Sequence, residues 1–366
     1  MVFPFKKRAK SSWLDVPAAK AYDPTADAAR KFAAEKAATA AAPVEPKLDL
    51  EVKAVTPVAE GVIAITFVDP HGEELPEWAP GAHLEIHTPA GLIRQYSLCG
   101  DPANRMEYRV SVLREEAGRG GSKELHDDAR LVGKLITATQ PRNHFELHPS
   151  AKYLFIAGGI GVTPIRAMVA GVPEGAEWTL LYGGRTRASM AFVDELVEIG
   201  GDRIKIAPQD TDGLLDLRTA LEAIDADTAV YCCGPSPLIA AVEQCVEKYA
   251  PDSKLYFERF TASEENAAAR AEAAKGDQPF ELELRRTGVT MTVGADERTL
   301  DAVIKHVPGF DYSCEEGHCG SCWTKVLAGE VDHRDDGLLT EAERATNTEM
   351  YVCVSRAKSD KLVLDV

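Results

Sequence analysis

Cys314, Cys319 and Cys322 stand in one short run, Ser313-Cys314-Glu315-Glu316-Gly317-His318-Cys319-Gly320-Ser321-Cys322, and Cys353 follows after thirty intervening residues. Thiolates are soft anionic ligands, and C-x4-C-x2-C with one distant fourth Cys is the plant-type spacing for a [2Fe–2S] cluster. Three ligands from one tight loop and a fourth from elsewhere can converge on two irons. Gly317 and Gly320 let the loop wrap closely enough for backbone N–H groups to face the sulfurs, which tunes the potential. A structural zinc would ordinarily use two C-x2-C pairs, and only one is present. A Rieske centre would need two His in place of two Cys, so His318 reads as a loop residue.

A second constellation is Gly158-Gly159-Ile160-Gly161-Val162-Thr163-Pro164, which follows the apolar run Tyr153–Ala157 and opens a helix-like segment. Glycines there let a phosphate approach backbone N–H groups at a helix N-terminus. Cys232-Cys233-Gly234-Pro235-Ser236-Pro237 lies between the strand-like Thr228–Tyr231 and another helix, at the carboxyl edge where α/β sheets bind ligands. The reading gives Cys233 a place against a nicotinamide ring and treats Cys232, Cys99 and Cys245 as packing. Arg185 and Arg187 offer positive charge for a 2′-phosphate.

Arg94-Gln95-Tyr96-Ser97-Leu98 combines an Arg for phosphate, an aromatic for a planar ring and a hydroxyl for a ring nitrogen, a set that suits a flavin. It reads as the segment following a strand. Gly118-Arg119-Gly120-Gly121-Ser122 precedes a helical turn and makes a further anion-binding loop.

The elements that must position these groups fall into three patterns. From Leu48 to about Leu147, short alternating runs between Pro and Gly turns (Leu50–Val55, Gly61–Phe67, His83–His87, Tyr108–Leu113, Leu135–Thr139) predict a small antiparallel barrel. From Tyr153, strands alternate with helices, which predicts a doubly wound parallel α/β sheet. Residues 277–366 open on a hairpin, Phe280–Arg285 against Thr290–Val293. The polar, Ala-rich Ala262–Gly276 reads as a linker. Residues 1–46 are Ala-rich with few large apolar side chains and read as an extension unable to bury a core. The expected boundaries are therefore 1–46, 47–148, 149–262, 263–276 and 277–366.

With 366 residues, two or three domains are the natural expectation. The net charge of −17 argues against nucleic acid as a partner. Residues 277–366 carry 18 acidic against 10 basic residues, while 1–46 are net basic, an asymmetry suited to steering a partner. No apolar run is long enough to span a membrane. The basic start lacks an apolar core behind it, so the expected compartment is the cytoplasm. Eight cysteines are too few for a secreted disulfide scaffold of this length.

Taken together, RQYSL at 94–98, GRGGS at 118–122, GGIGVTP at 158–164, CGPSPL at 233–238, FERF at 257–260, CEEGHCGSC at 314–322 and the tail from Tyr351 resemble the phthalate dioxygenase reductase family. The resemblance covers about residues 48–366. It implies a flavin-binding barrel, a nucleotide-binding α/β domain and a C-terminal β-grasp ferredoxin domain, in that order. It further implies FMN, where wider relatives use FAD, held by Arg94, Tyr96 and Ser97 with Gly121 and Ser122 at its phosphate. NADH would meet Gly159, Gly161 and Thr163, with Cys233 and Gly234 at its reactive end and Phe260 over the flavin. The family more commonly has Ser where this chain has Arg259. On this reading Ser97, Thr163 and Cys233 line the reacting centre, and Cys314, Cys319, Cys322 and Cys353 hold the metal. The implied activity is an NADH-dependent reductase, a monomer that feeds single electrons to a separate oxygenase, typically a Rieske non-haem iron enzyme. A cytochrome P450 as acceptor, or a redox-sensing module without turnover, are the alternatives. Hydride and electron transfer need no general base, so no catalytic triad or carboxylate pair is expected.

Overall fold

The computed structural model describes residues 47–260, 264–312 and 314–366. The Ala-rich stretch at 1–46 lies outside the described residues.

The first third of the described chain is β-rich, as its alternation dictates. Its strands are β1 (Lys47–Ala59), β2 (Val62–Val68), β3 (Ala82–His87), β4 (Ile93–Ser97), β5 (Tyr108–Leu113), β6 (Leu135–Thr139) and the short β7 (Arg142–Asn143). They pair antiparallel in the order β4-β3-β6-β1-β2-β5, with β7 on β3. The free ends meet: Leu98 bridges Val110, and the Cys99 N–H donates to Arg109 O at 2.8 Å. Alternate residues, among them Leu50, Val52, Ile65, Phe67, Leu84, Ile86, Val110 and Val112, fill the interior. The segment expected to follow a strand is itself β4, paired with β3 so that Ser97 faces His83 and Gln95 faces Glu85. Its Arg and Gln point from a sheet, where polar side chains hide the alternation.

The middle unit has five parallel strands, β8 (Lys152–Gly158), β9 (Glu177–Gly184), β10 (Ile204–Pro208), β11 (Thr228–Cys233) and β12 (Leu255–Glu258), ordered β10-β9-β8-β11-β12. The order reverses between β8 and β11, which opens a crevice beyond their carboxyl ends. Continuous apolar strands serve two faces at once. Tyr153 and Phe155 pack on one side with Tyr182, Tyr231 and Cys233, whereas Leu154 and Ile156 pack on the other with Val230 and Cys232. The first of these cores also takes in Val62, Cys99 and Phe145 from the barrel.

The last unit contains β13 (Phe280–Leu284), β14 (Val289–Val293), β15 (Trp323–Ala328), β16 (Val331–Asp332), β17 (Glu349–Tyr351), β18 (Arg356–Ala357) and β19 (Lys361–Leu364). The main sheet runs β14-β13-β19-β15-β17 with β13 and β19 parallel at its centre. The helix Thr299–His306 lays Leu300 and Val303 onto Leu282, Leu284, Val326, Leu362 and Leu364, a β-grasp arrangement.

The expected linker contains a helix, Glu264–Ala274. Ala-rich composition favours helix, and without an apolar stripe the helix is held by polar contacts. Asn266 Nδ2 donates to Asp335 O at 3.0 Å, and Arg270 Nη1 donates to Glu316 O. Among the described residues, no helix is long and apolar enough to cross a membrane.

Candidate functional site

The cluster loop sits between the helix Thr299–His306 and β15. Glu315, Gly317 and Gly320 have φ of 57°, 76° and 82°, so the backbone repeatedly enters the left-handed region. At Gly317 a Cβ would come within 2.7 Å of Val354 Cγ2, so only glycine brings this turn against the segment carrying Cys353. Backbone N–H groups are aimed inward: Glu316 N lies 3.3 Å from Cys314 Sγ, and Cys314 N 3.5 Å from Cys319 Sγ. The Ser321 hydroxyl is 3.5 Å from Cys319 Sγ. The Cys314 thiol contacts those of Cys319 and Cys353, and Cys353 also meets Cys322. All but Cys314 are buried.

Burial pushes the Cys314 thiol up, but the neighbouring Cys319 and Cys353 thiols and His318 outweigh it and hold Cys314 well below the usual thiol range. Among the described residues, no three His, Cys, Asp or Glu side chains converge on a single ion position. A binuclear cluster asks instead for four thiolates shared between two irons. The linked thiols and inward N–H groups fit that demand, and Cys314, Cys319, Cys322 and Cys353 are the residues that would hold it.

His318, expected as an ordinary loop residue, is buried and touches the Cys314 thiol, which raises its basicity against the opposing effect of burial. Its charge also reaches Glu258, at the carboxyl end of β12. Glu258 is buried, and its Oε2 lies 3.5 Å from Ser97 Oγ on β4. Burial pushes the Glu258 carboxyl up to about 8, against the Ser97 hydroxyl and His318, which favour its charged form. The neighbouring Cys233 thiol is raised well above its usual range, first by burial and then by Glu258. Ser97, Cys233, Glu258 and His318 thus bring the barrel, the parallel sheet and the cluster loop to one buried junction. Glu258 escaped the reading of residues one by one; its signal was a lone carboxylate at the end of an apolar strand, within the FERF run.

Around this junction, Arg94 Nη1 donates to Ile93 O at 2.6 Å and Nη2 to Arg119 O at 3.1 Å. The Arg94 side chain is therefore laid along the GRGGS loop. Gly121 has no room for a Cβ, since Arg94 Cγ would be 2.8 Å away and Nε 2.9 Å. Ser122 Oγ accepts from the Glu115 N–H at 3.1 Å. Tyr96 is half-buried beside Arg94, and burial raises its phenol. An arginine, an aromatic and backbone N–H groups on one edge fit a phosphate-bearing planar ring such as FMN.

The crevice side is set by Gly158, Gly161 and Gly234. A Cβ on Gly161 would lie 2.4 Å from both the carbonyl carbon and oxygen of Cys233, so the turn after β8 meets the end of β11 backbone to backbone at the switch point. Gly159, with φ of 54°, faces open space. Thr163 is buried, and its hydroxyl donates to Ile160 O at 3.0 Å within its own turn. Phe260 is 37% exposed, an apolar ring free to cover a planar ligand. Arg259 turns to Glu243 at 3.1 Å and stacks over Phe257. Arg187 is 2.9 Å from Asp194, so its charge is already engaged.

Residues 282–358 match the 2Fe-2S iron-sulfur cluster binding domain model, and 134–254 match the dimethylamine monooxygenase subunit DmmA-like N-terminal domain. The chain is 35% identical over 323 residues to the phthalate 4,5-dioxygenase oxygenase reductase subunit of Pseudomonas putida, covering 87% of this chain and 96% of that one. It is 39% identical to the putative toluene-4-sulfonate monooxygenase system reductase subunit TsaB2 of Comamonas testosteroni, over 86% of this chain and 98% of that one. A solved structure of phthalate dioxygenase reductase, described as modular for electron transfer from pyridine nucleotides to [2Fe–2S], superposes with a TM-score of 0.68 at 33% identity, over 87% of this chain and 98% of that one. An intact type IV self-sufficient cytochrome P450 monooxygenase superposes at 0.72 with 37% identity; 90% of this chain is covered, but only 43% of that longer protein. The chain therefore belongs to the phthalate dioxygenase reductase family, oxidoreductases that carry electrons from NADH through FMN to a [2Fe–2S] centre.

Proposed function

We propose that this chain is the reductase component of an oxygenase system whose terminal partner is a Rieske non-haem iron enzyme. The observation that carries the reading is the junction of Ser97, Cys233, Glu258 and His318, where flavin strand, nucleotide crevice and cluster loop meet. Residues 47–148 form the flavin unit, 149–262 the nucleotide unit and 277–366 the cluster unit. FMN held there would supply the conversion of a hydride from NADH into single electrons, as a cluster that accepts one at a time requires.

Arg94 and the backbone of Gly121 and Ser122 would hold the flavin phosphate, with Tyr96, Ser97 and Phe260 bordering its ring. Gly159 and Gly161 let the dinucleotide approach the start of the helix Val162–Ala170. Thr163 stiffens that turn through Ile160 O, and Cys233 with Gly234 borders the nicotinamide. Glu258 keeps a proton beside Ser97 at neutral pH, so the place where the two rings would stack is dry and carries no extra negative charge. The eight thiols are unpaired with one another, which suits a reducing compartment such as the cytoplasm, and a monomer leaves the partner surface free.

Absorbance tests the reading. Addition of NADH to the purified protein should bleach the flavin band and then support cytochrome c reduction; a colourless protein, or one inert to NADH, contradicts it. A cytochrome P450 as acceptor is the second reading, favoured by the 37% identity to the self-sufficient monooxygenase. Catalysis reconstituted with a Rieske oxygenase and not with a P450 separates the two.

A further inference from the structure

Two junctions hold the barrel, and they are built differently. Toward the parallel sheet, Arg109 grips Glu195 with two bonds of 3.0 and 3.2 Å, and Arg166 adds 2.7 Å to the same carboxylate. Arg166 also donates to Cys99 O, the Glu60 N–H donates to Ala188 O at 2.8 Å, and the two units share one apolar core. Toward the cluster unit the contacts are lighter and more polar. Gln95 Nε2 reaches Ser321 Oγ at 3.3 Å. Arg119 Nη1 lies 3.6 Å from Glu315 Oε1, and its Nη2 lies 3.6 Å from Glu316 Oε1.

These last pairs have an unusual placement. Arg119 belongs to the loop whose carbonyl holds Arg94, while Glu315 and Glu316 lie between the first two cysteines of the cluster loop. Glu315 is fixed from behind by Arg298 at 2.6 Å, and the Glu316 carbonyl is fixed by Arg270 of the connecting helix. The Glu315 carboxylate and the Glu316 backbone are thus held in place, and the Arg119 side chain, 42% exposed, spans the gap to both carboxylates. Ion pairs of this length and exposure are weak and screened by salt. They add little to stability, yet two of them set the orientation of one loop against another.

We propose that Arg119, with Glu315 and Glu316, is a positioning device for the electron step: it holds the cluster loop against the flavin edge and lets go as ionic strength rises. This rests on the assignment of the flavin to the Arg94 edge. In the step concerned, one electron leaves the reduced flavin and converts one ferric iron of the cluster to ferrous iron, both supplied by the established activity. Arg119 acts through Glu315 and Glu316 of the cluster loop, fixing the separation on which the rate of electron transfer depends.

The experiment compares wild type, Arg119→Glu and the charge swap Arg119→Glu/Glu316→Arg as holoproteins at low and high salt. Hydrogen exchange in the peptides covering 93–98 and 314–322 reads docking, and stopped-flow absorbance reads cluster reduction after flavin reduction by NADH. Arg119→Glu should raise exchange in both peptides and slow cluster reduction at least tenfold at low salt, with the rate of flavin reduction by NADH retained. The swap should restore docking and most of the rate, and high salt should bring wild type toward the Arg119→Glu values. Unchanged exchange and rate in Arg119→Glu would overturn the proposal, as would failure of the swap to restore either. Loss of flavin from Arg119→Glu would also overturn it, by making Arg119 a phosphate ligand. If instead no variant, wild type included, bound flavin, the family reading of the Arg94 edge would be what failed.

Discussion

Ser97 Oγ, on the flavin-side strand, lies 3.5 Å from Glu258 Oε2 at the end of the last strand of the parallel sheet, and both side chains are buried. The pair joins two units, and the charge of His318 acts on Glu258 from the third. A carboxyl desolvated in this way keeps its proton at neutral pH, so the contact is a hydrogen bond between neutral groups. Under the proposed function, electrons and hydride would then pass this junction without meeting a fixed negative charge.

The same carboxyl makes stability depend on pH. Glu258 rises from an ordinary 4.5 to about 8, so between those values the folded chain holds a proton that the unfolded chain has lost. Its contribution is fully present below the unfolded value and is lost as pH rises through about 8. Glu258→Gln should flatten the fall of melting temperature between about pH 4.5 and 8, as read by scanning calorimetry. A variant whose melting temperature falls as steeply as that of wild type would show that another group titrates.

Gly161 and Gly159 should separate packing from ligand approach. Gly161→Ala places a methyl 2.4 Å from the Cys233 backbone and should cost about 1–3 kcal/mol of stability, with a raised KM for NADH. Gly159→Ala meets open space and should cost only about 1–2 kcal/mol for its left-handed φ, yet also raise KM, because the methyl occupies the side a phosphate would approach. Denaturant titration and steady-state kinetics check both, and an unchanged KM in Gly159→Ala would remove that position from the nucleotide site.

What could be read from the chain alone was what is local. The cysteine spacing, the loop glycines and the alternation of strands Tyr108–Leu113 and Leu135–Thr139 are properties of short segments, and the structure reproduces those strand limits. Strand Ile93–Ser97 was missed as a strand because Arg94 and Gln95 break its apolar alternation; its partner Ala82–His87 supplies the order. Glu258 and His318 were not legible, because a buried carboxyl and a buried imidazole become special only when segments 60 residues apart meet over a third. The helix Glu264–Ala274 had the propensity, but its partners Asp335 and Glu316 lie far along the chain.

Flavin retention should depend on the fit between Arg94 and Gly121. Arg94→Ala should remove the proposed charge-assisted phosphate contact, worth about 1.5–3 kcal/mol, and weaken FMN binding by about tenfold or more. Gly121→Ala should do nearly the same indirectly, since its methyl would sit 2.8 Å from Arg94 Cγ. Fluorescence of released flavin after dilution measures both, and full flavin content in Arg94→Ala would take Arg94 out of the site.

If electrons enter at the nucleotide crevice and leave only through the four-cysteine cluster, Cys353→Ser should cut the chain at its last link. In stopped-flow absorbance beside wild type, NADH should bleach the flavin band at a similar rate in both proteins, while cytochrome c reduction collapses in the variant. Cytochrome c reduction at the wild-type rate in Cys353→Ser would contradict this route, and so would loss of flavin bleaching together with the cluster.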